Sequence, residues 1–310
     1  MNKIKKNKLQ NFMEFYWMRP ENGIVKYFQS ESWSDIKIKN KSLDIATGDG
    51  TYLFLHAGGK FNLDFDFYTN TNSAKFSHEK FIDIYDTFSS SYKPKIKNKA
   101  KFNFDVVTDW KKGLLLKAKK LGCFKETILH DNNKLPLPFE DSEFNFVHSN
   151  ALYWTNNPIQ LLKEVKRVTN KNSIVVLEYA TDKLLSTLFE LKPFLDNKAF
   201  SILNRKRIEE MKGLKNSYFD IKNQILKSGL KIEDVRLCWP NKIITNFWNI
   251  GLRPISHLMI EMANDLGKNK RSEIKKKWTK IFTEILTPLS IKPKKFKIEE
   301  APYITFILRK

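Results

Sequence analysis

Cysteine is scarce: Cys123 and Cys238 are the only two in 310 residues. Two cannot supply a disulfide framework or a cysteine-rich zinc site, and their scarcity fits a reducing, cytoplasmic setting. Apolar runs of the ~18 residues that a membrane helix needs are missing, and Met1 to Gln10 holds Lys and Asn where a signal peptide would hold its apolar stretch. A soluble chain, attached at most to a membrane surface, is expected. Arginine is the third shortage. Only 8 of the 55 basic residues are Arg, although the net charge is +21. Nucleic-acid readers lean on Arg for bidentate contacts to phosphate and guanine, so nucleic acid is a candidate partner but not the favoured one, and a solvated lysine surface is the simpler reading. With 11 Gly, 11 Pro, 41% hydrophobic and 29% charged residues, collagenous and disordered classes are excluded.

What is present is an alternation of strands and amphipathic helices. Ser42-Leu43-Asp44-Ile45-Ala46 reads as a strand running into Thr47-Gly48-Asp49-Gly50-Thr51, with a helix expected next and Gly58-Gly59 to stop it. Further strands are expected at 102–109, 127–131, 144–150 and 173–179. Asn157-Pro158 carries the start signal of a helix whose buried face is Leu161, Leu162, Val165 and Val168. A helix at 219–228, a strand at 230–239 and a last strand at 303–309 close the pattern. Such βαβ units predict an α/β doubly wound, Rossmann-like sheet, mostly parallel. The expected organisation is an N-terminal helical cover at 1–41, a core at 42–239 interrupted by an insertion at 60–101, a helical insertion at 240–301 and a last core strand at 302–310. In the basic stretch Lys268 to Lys280, Ile274, Trp278 and Ile281 fall at helical spacing, so its lysines are read as the solvated side of a helix.

In an open α/β sheet the ligand lies beyond the carboxyl ends of the strands, and Asp44 to Gly50 occupies that place. A third glycine, as the dinucleotide fingerprint requires, is absent: Leu53 stands there, and no Gly-Lys-Ser/Thr phosphate loop follows. From these residues and from Asp131-Asn132-Asn133-Lys134-Leu135-Pro136-Leu137-Pro138-Phe139-Glu140-Asp141-Ser142-Glu143-Phe144, the chain resembles the class I S-adenosylmethionine-dependent methyltransferases. Ser149 to Trp154, Leu162 to Val168 and Ile174 to Glu178 continue the likeness in order and spacing. It covers about residues 42–180 and, more weakly, the last two strands, and points to the small-molecule branch, including members associated with surface glycans. Ala46 departs from it where a glycine is usual, as does Asn170-Lys171-Asn172 where a Pro-Gly-Gly turn is usual.

The resemblance implies S-adenosyl-L-methionine as cofactor and a small-molecule or glycan-precursor acceptor. Gly48 and Gly50 would let the backbone approach the cofactor beside Ala46, with Asp44 ordering the loop; Asp131 and Asn132 would meet the adenine; Asn150 would border the methionine end. For the ribose acid two residues compete. Asp66 lies 16 residues after Gly50, whereas Asp109 ends a strand and precedes an amphipathic helix leading to Asp131; with an insertion at 60–101, Asp109 is favoured. His148 and His130 are the candidate bases should the acceptor have to lose a proton. Arg19, in an N-terminal lid, Tyr153 and Trp154, after the fourth strand, and Arg253, in the late insertion, are candidate substrate contacts. An RNA methyltransferase and an inactive cofactor-binding scaffold are the alternatives.

Overall fold

Strand residues point alternately to the two faces of a sheet, so a strand with adjacent apolar residues serves two cores at once. The sheet has seven strands, β1 Ser42–Asp44, β2 Phe104–Asp109, β3 Phe124–Leu129, β4 Phe144–Ser149, β5 Thr169–Ala180, β6 Lys231–Leu237 and β7 Tyr303–Arg309, and β2, β4, β5 and β7 serve both cores. Their order is β3-β2-β1-β4-β5-β7-β6. The first five are parallel, and β7 runs antiparallel to β5 and β6. Val107, Phe146, Val176 and Ile307 join one apolar core while their neighbours Val106, Val147, Val175 and Leu308 join the other. The computed structural model describes residues 3–70, 85–86, 88–205, 207–210, 214–291 and 296–310.

Helices cover both faces. On the first lie α1 Lys3–Phe15 and α2 Pro20–Ser32, which bury Leu9, Phe12, Ile24 and Phe28, with Trp33 buried just after α2. After β1, α3 Thr51–His56 buries Tyr52 to Leu55, and α4 Lys112–Lys119 follows β2. The second face is covered by α5 Pro158–Val168, where Asn157 Oδ1 accepts from the Gln160 amide and Leu161, Leu162, Val165 and Val168 are buried, and by α6 Tyr218–Ser228, started by a Ser217–Asp220 capping box and ended by Gly229. Between β6 and β7 the chain forms α7 Lys242–Ile250, a helix at Ser256–Asn264 and the long α8 Lys268–Ile291. Short helices at Ser186–Leu191 and Asn197–Asn204, not expected from sequence, fill the stretch after β5. Of the 60–101 segment, a two-stranded antiparallel ribbon, Lys60–Phe61 with Ile96–Asn98, is seen; residues 71–84 and 87 of it lie outside the described residues.

Two expectations need correction. Strand β5 begins at Thr169 rather than Ser173: its pairing with β4 shifts register between Phe144 and Phe146, and Asn172 takes a left-handed φ of 62°, so Asn170 to Asn172 extend the strand through an irregularity instead of turning. In α8 the basic residues are not all solvated. Arg271, Lys275, Thr279 and Thr283, spaced by four, are its buried stripe, while Ile281 is exposed. The cause is on the adjoining segment, where the Asp66 carboxylate accepts from Arg271 Nε at 2.8 Å and the Phe65 carbonyl accepts from Lys275 Nζ at 2.6 Å.

Candidate active site

The chain goes from β1 outward to β2 and β3, then returns to lay β4 on the other side of β1. The carboxyl ends of β1 and β4 therefore diverge, which opens a crevice at that point of the sheet. A cleft of about 870 Å³ lies there. One end is lined by Ala46, Asp109, Asp131 and Asn132, and the other by Tyr153, Trp239, Trp248, Arg253 and Tyr303. Arg19, Lys26 and Gln29 bring the N-terminal segment over it.

The loop after β1 owes its shape to backbone signs that few residues adopt. Ala46, Gly48 and Gly50 all have positive φ, of 62°, 65° and 72°. At Gly48 a Cβ would meet only open space, whereas at Gly50 it would run into the Phe124 ring and Ala118. Gly50 is thus required by packing on α4 and β3, and Gly48 by conformation alone. The Gly48 amide donates to Asp109 Oδ2 at 2.9 Å and the Lys111 amide to Oδ1 at 2.8 Å. Burial nevertheless raises the Asp109 pKa, more than these amides lower it. Around the loop, Thr47 Oγ1, Asp49 Oδ2 and Thr51 Oγ1 are buried without a hydrogen-bond partner among the described residues, as is Asn132 Oδ1 at the cleft wall. Buried polar atoms rarely go unmatched, and this set suits a ligand rich in hydroxyls and amino groups.

Asp131 lines the cleft and accepts from the Asn133 amide at 3.0 Å, which holds its pKa below the usual carboxylate range. Asp66 stands elsewhere: it takes Trp17 Nε1, the Tyr68 amide and Arg271 into a buried cluster away from the cleft lining. Asn150 is half-buried outside the lining, and its carbonyl accepts from Tyr303 Oη at 3.4 Å. Arg19 lines the cleft but is ion-paired with buried Glu21. Trp154, 46% exposed, and Tyr153 border the opening, with Tyr153 Oη 3.2 Å from Tyr303 Oη.

Neither histidine is placed to take a proton from an acceptor. His148 on β4 is the register partner of Asp44 on β1 and of Val176 on β5, so Glu178, two residues on, shares its face. Its Nδ1 lies 2.5 Å from Asp44 and its Nε2 3.0 Å from Glu178. The ring is stacked on Trp33 at 4.8 Å and is 1% exposed. Burial disfavours the imidazolium, but Asp44 and Glu178 outweigh it and raise the pKa to about 9. Asp44 thus holds His148 rather than the loop. Tyr52 Oη and Trp33 Nε1 also donate to Glu178 Oε1, at 2.5 and 2.8 Å. His130 lies outside the lining with Nε2 buried and without a partner among the described residues, and burial lowers its pKa. Sequence reasoning passed over Lys26, Gln29, Arg205, Trp239 and Tyr303; an aromatic opening the last strand, as Tyr303 does, was the only local signal.

Residues 102–177 match a family model described as a methyltransferase domain. The matched segment runs from β2 into β5 and marks this part of the chain as a methyltransferase domain. No curated protein matches it. Solved structures similar to this chain include an S-adenosylmethionine-dependent methyltransferase of Thermotoga maritima, 11% identical, with 96% of this chain and 98% of that one covered at a TM-score of 0.48. One from Mesorhizobium loti is 14% identical over 94% of this chain and 100% of that one, with a TM-score of 0.45. A TehB-like one from Corynebacterium glutamicum is 9% identical over 91% and 87%, with a TM-score of 0.42. Among the described residues no helix is long and apolar enough to cross a membrane.

Proposed function

We propose that this chain is an S-adenosylmethionine-dependent methyltransferase that acts on a small molecule or glycan precursor admitted between α2 and the 240–301 segment. The observation that carries the reading is the two-ended cleft: about 870 Å³ falls within the ~300–1,000 Å³ of small-molecule sites, with polar residues at one end and aromatic rings at the other. S-adenosylmethionine, when bound, supplies an electrophilic methyl group on a sulfonium. Asp109 would accept from the ribose hydroxyls, its two oxygens already oriented by the Gly48 and Lys111 amides. Asp131 and Asn132 would hold the adenine. The Tyr153 ring would face the sulfonium end, where an aromatic face favours a cation by ~0.5–2 kcal/mol. Positioning in a water-poor cleft is the main contribution required of the protein, since oriented reactants gain up to ~7–11 kcal/mol. Should the acceptor have to lose a proton, two lysines line the cleft: Lys111 is ion-paired with Asp86, and Lys26 is the candidate base, its pKa lowered by burial against the opposing pull of Glu178, Asp49 and Asp44.

The RNA alternative loses one of its supports, because Arg271 and Lys275 of the basic stretch are buried. The test is calorimetric titration of S-adenosylhomocysteine into wild type, Asp109→Ala and Asp66→Ala. Loss of charge-assisted hydrogen bonds worth ~1.5–3 kcal/mol each should weaken Asp109→Ala about 10- to 100-fold and leave Asp66→Ala unchanged. The reverse pattern would transfer the ribose role to Asp66, and absence of binding by wild type would end the reading.

A further inference from the structure

Among the described residues that line the cleft, three keep a buried side-chain nitrogen or oxygen without a hydrogen-bond partner: Asn132 Oδ1, Gln29 Oε1 and Trp239 Nε1. Asn132 belongs to the polar end of the cleft. Gln29 and Trp239, each 1% exposed, belong to the other end, and β7 brings them together. In α2 the Gln29 carbonyl accepts from Ser32 Oγ at 2.7 Å, and Ser32 Oγ lies 2.6 Å from Thr305 Oγ1. Thr305 Oγ1 is also 3.0 Å from Cys238 Sγ, and Trp239 is the next residue along the chain. The last turn of α2 and the segment leaving β6 are thereby fastened to one residue of β7, on the same face as Tyr303.

A row of rings joins this place to the methyl-transfer end. Tyr153 and Tyr303 have centroids 6.2 Å apart, Tyr303 and Trp239 6.0 Å, and Trp239 and Trp248 6.2 Å. A flat ring packs well on such a wall. The two unmatched atoms then set what the ring must carry. An indole N–H only donates, and an amide oxygen only accepts, so one group that answers both must accept and donate through a single atom. An uncharged hydroxyl does this. An ionised oxygen has no proton for Gln29, and an ammonium has no lone pair for Trp239. Lys26 lies one turn before Gln29 on α2 and lines the same cleft, so an anionic ring is the competitor that matters. Because a buried polar atom left unmatched costs ~1–3 kcal/mol, a ring without the hydroxyl is disfavoured even where its shape fits.

We propose that the acceptor is a planar ring bearing an uncharged hydroxyl, a phenol in chemical class, which lies on the Tyr303–Trp239–Trp248 rings with its hydroxyl between Trp239 Nε1–H and Gln29 Oε1. This assignment rests on the methyl-transfer reading of the same cleft. It is tested at pH 7 by fluorine NMR titration of 4-fluorophenol, 4-fluoroanisole and 4-fluorobenzoate into protein saturated with S-adenosylhomocysteine, for wild type, Gln29→Met and Trp239→Phe. Wild type should bind 4-fluorophenol about tenfold tighter than either of the others, because the methyl ether cannot donate to Gln29 and the carboxylate has no proton to give. Each variant should weaken 4-fluorophenol by about tenfold, and Gln29→Met should bring it level with 4-fluoroanisole, with S-adenosylhomocysteine affinity unchanged. A wild type that holds S-adenosylhomocysteine but binds 4-fluorophenol no tighter than 4-fluoroanisole, or that prefers 4-fluorobenzoate, overturns the assignment, as do variants that keep the wild-type preference. Failure to hold S-adenosylhomocysteine overturns the cofactor reading instead, and the phenol assignment with it. Thermal unfolding identifies a variant that loses binding through misfolding, and Gln29→Met, which keeps the length of the side chain, then decides.

Discussion

Replacing His148 by Gln removes, among the described residues, the positive charge held between two buried carboxylates. The imidazole is gripped by Asp44 on one side and Glu178 on the other, and its pKa moves from 6.5 to about 9. At about 1.4 kcal/mol per unit, the protonated ring contributes on the order of 3 kcal/mol to folding. Because the folded state holds the proton more tightly than the unfolded chain, this contribution is complete below pH 6.5 and is lost as pH rises through about 9. Lys26, His56 and Tyr52 lie close enough to titrate or repel in concert, so the informative quantity is the difference between wild type and variant. Urea denaturation at half-unit steps from pH 6 to 10 should show His148→Gln less stable by about 3 kcal/mol at pH 6, with the gap narrowing towards pH 9–10. A gap that stays constant, or one that widens with pH, would mean that the ring is neutral in the fold and that the two carboxylates are compensated some other way.

Asp66→Asn should cost about 3–5 kcal/mol in urea denaturation by leaving Arg271 buried without its ion partner, and an unimpaired variant would remove that pair from the account of the fold. Ala46→Gly should raise stability by about 1 kcal/mol, since φ of 62° strains any residue with a Cβ, and a lowered calorimetric midpoint would refute the strain. Gly50→Ala should do the opposite, by about 2 kcal/mol or more, as its methyl meets Phe124 and Ala118; wild-type stability would show that the Phe124 ring can swing aside.

The sheet was legible because its strands are written locally. Phe104–Asp109 is buried along its whole length, β7 has the ends expected of it, and Asn157-Pro158 starts its helix with the cap its residue types imply. The cleft's polar end was also legible, since Asp109 and Asp131 each end or follow a strand on the same edge of the sheet. What escaped are arrangements between distant segments. Asp44, His148 and Glu178 meet only through the parallel register of β1, β4 and β5, and no spacing along the chain announces that. Likewise Lys275 reads as solvated because its partner, the Phe65 carbonyl, lies some 200 residues earlier, as does the Asp66 partner of Arg271. Lys26 sits among residues of a helical cover, and only the way α2 lies across the cleft gives it chemistry.

Four of the seven tryptophans, Trp110, Trp154, Trp239 and Trp248, line the cleft. The protein therefore carries its own optical reporter: anything that displaces water from beside those indoles will alter the intrinsic emission, so occupancy can be followed without a label or an assay for product. Trp33, wedged between His56 and His148 with ring centroids 3.6 and 4.8 Å away, sits apart as a dark residue whose emission should respond to alkalinisation rather than to ligand.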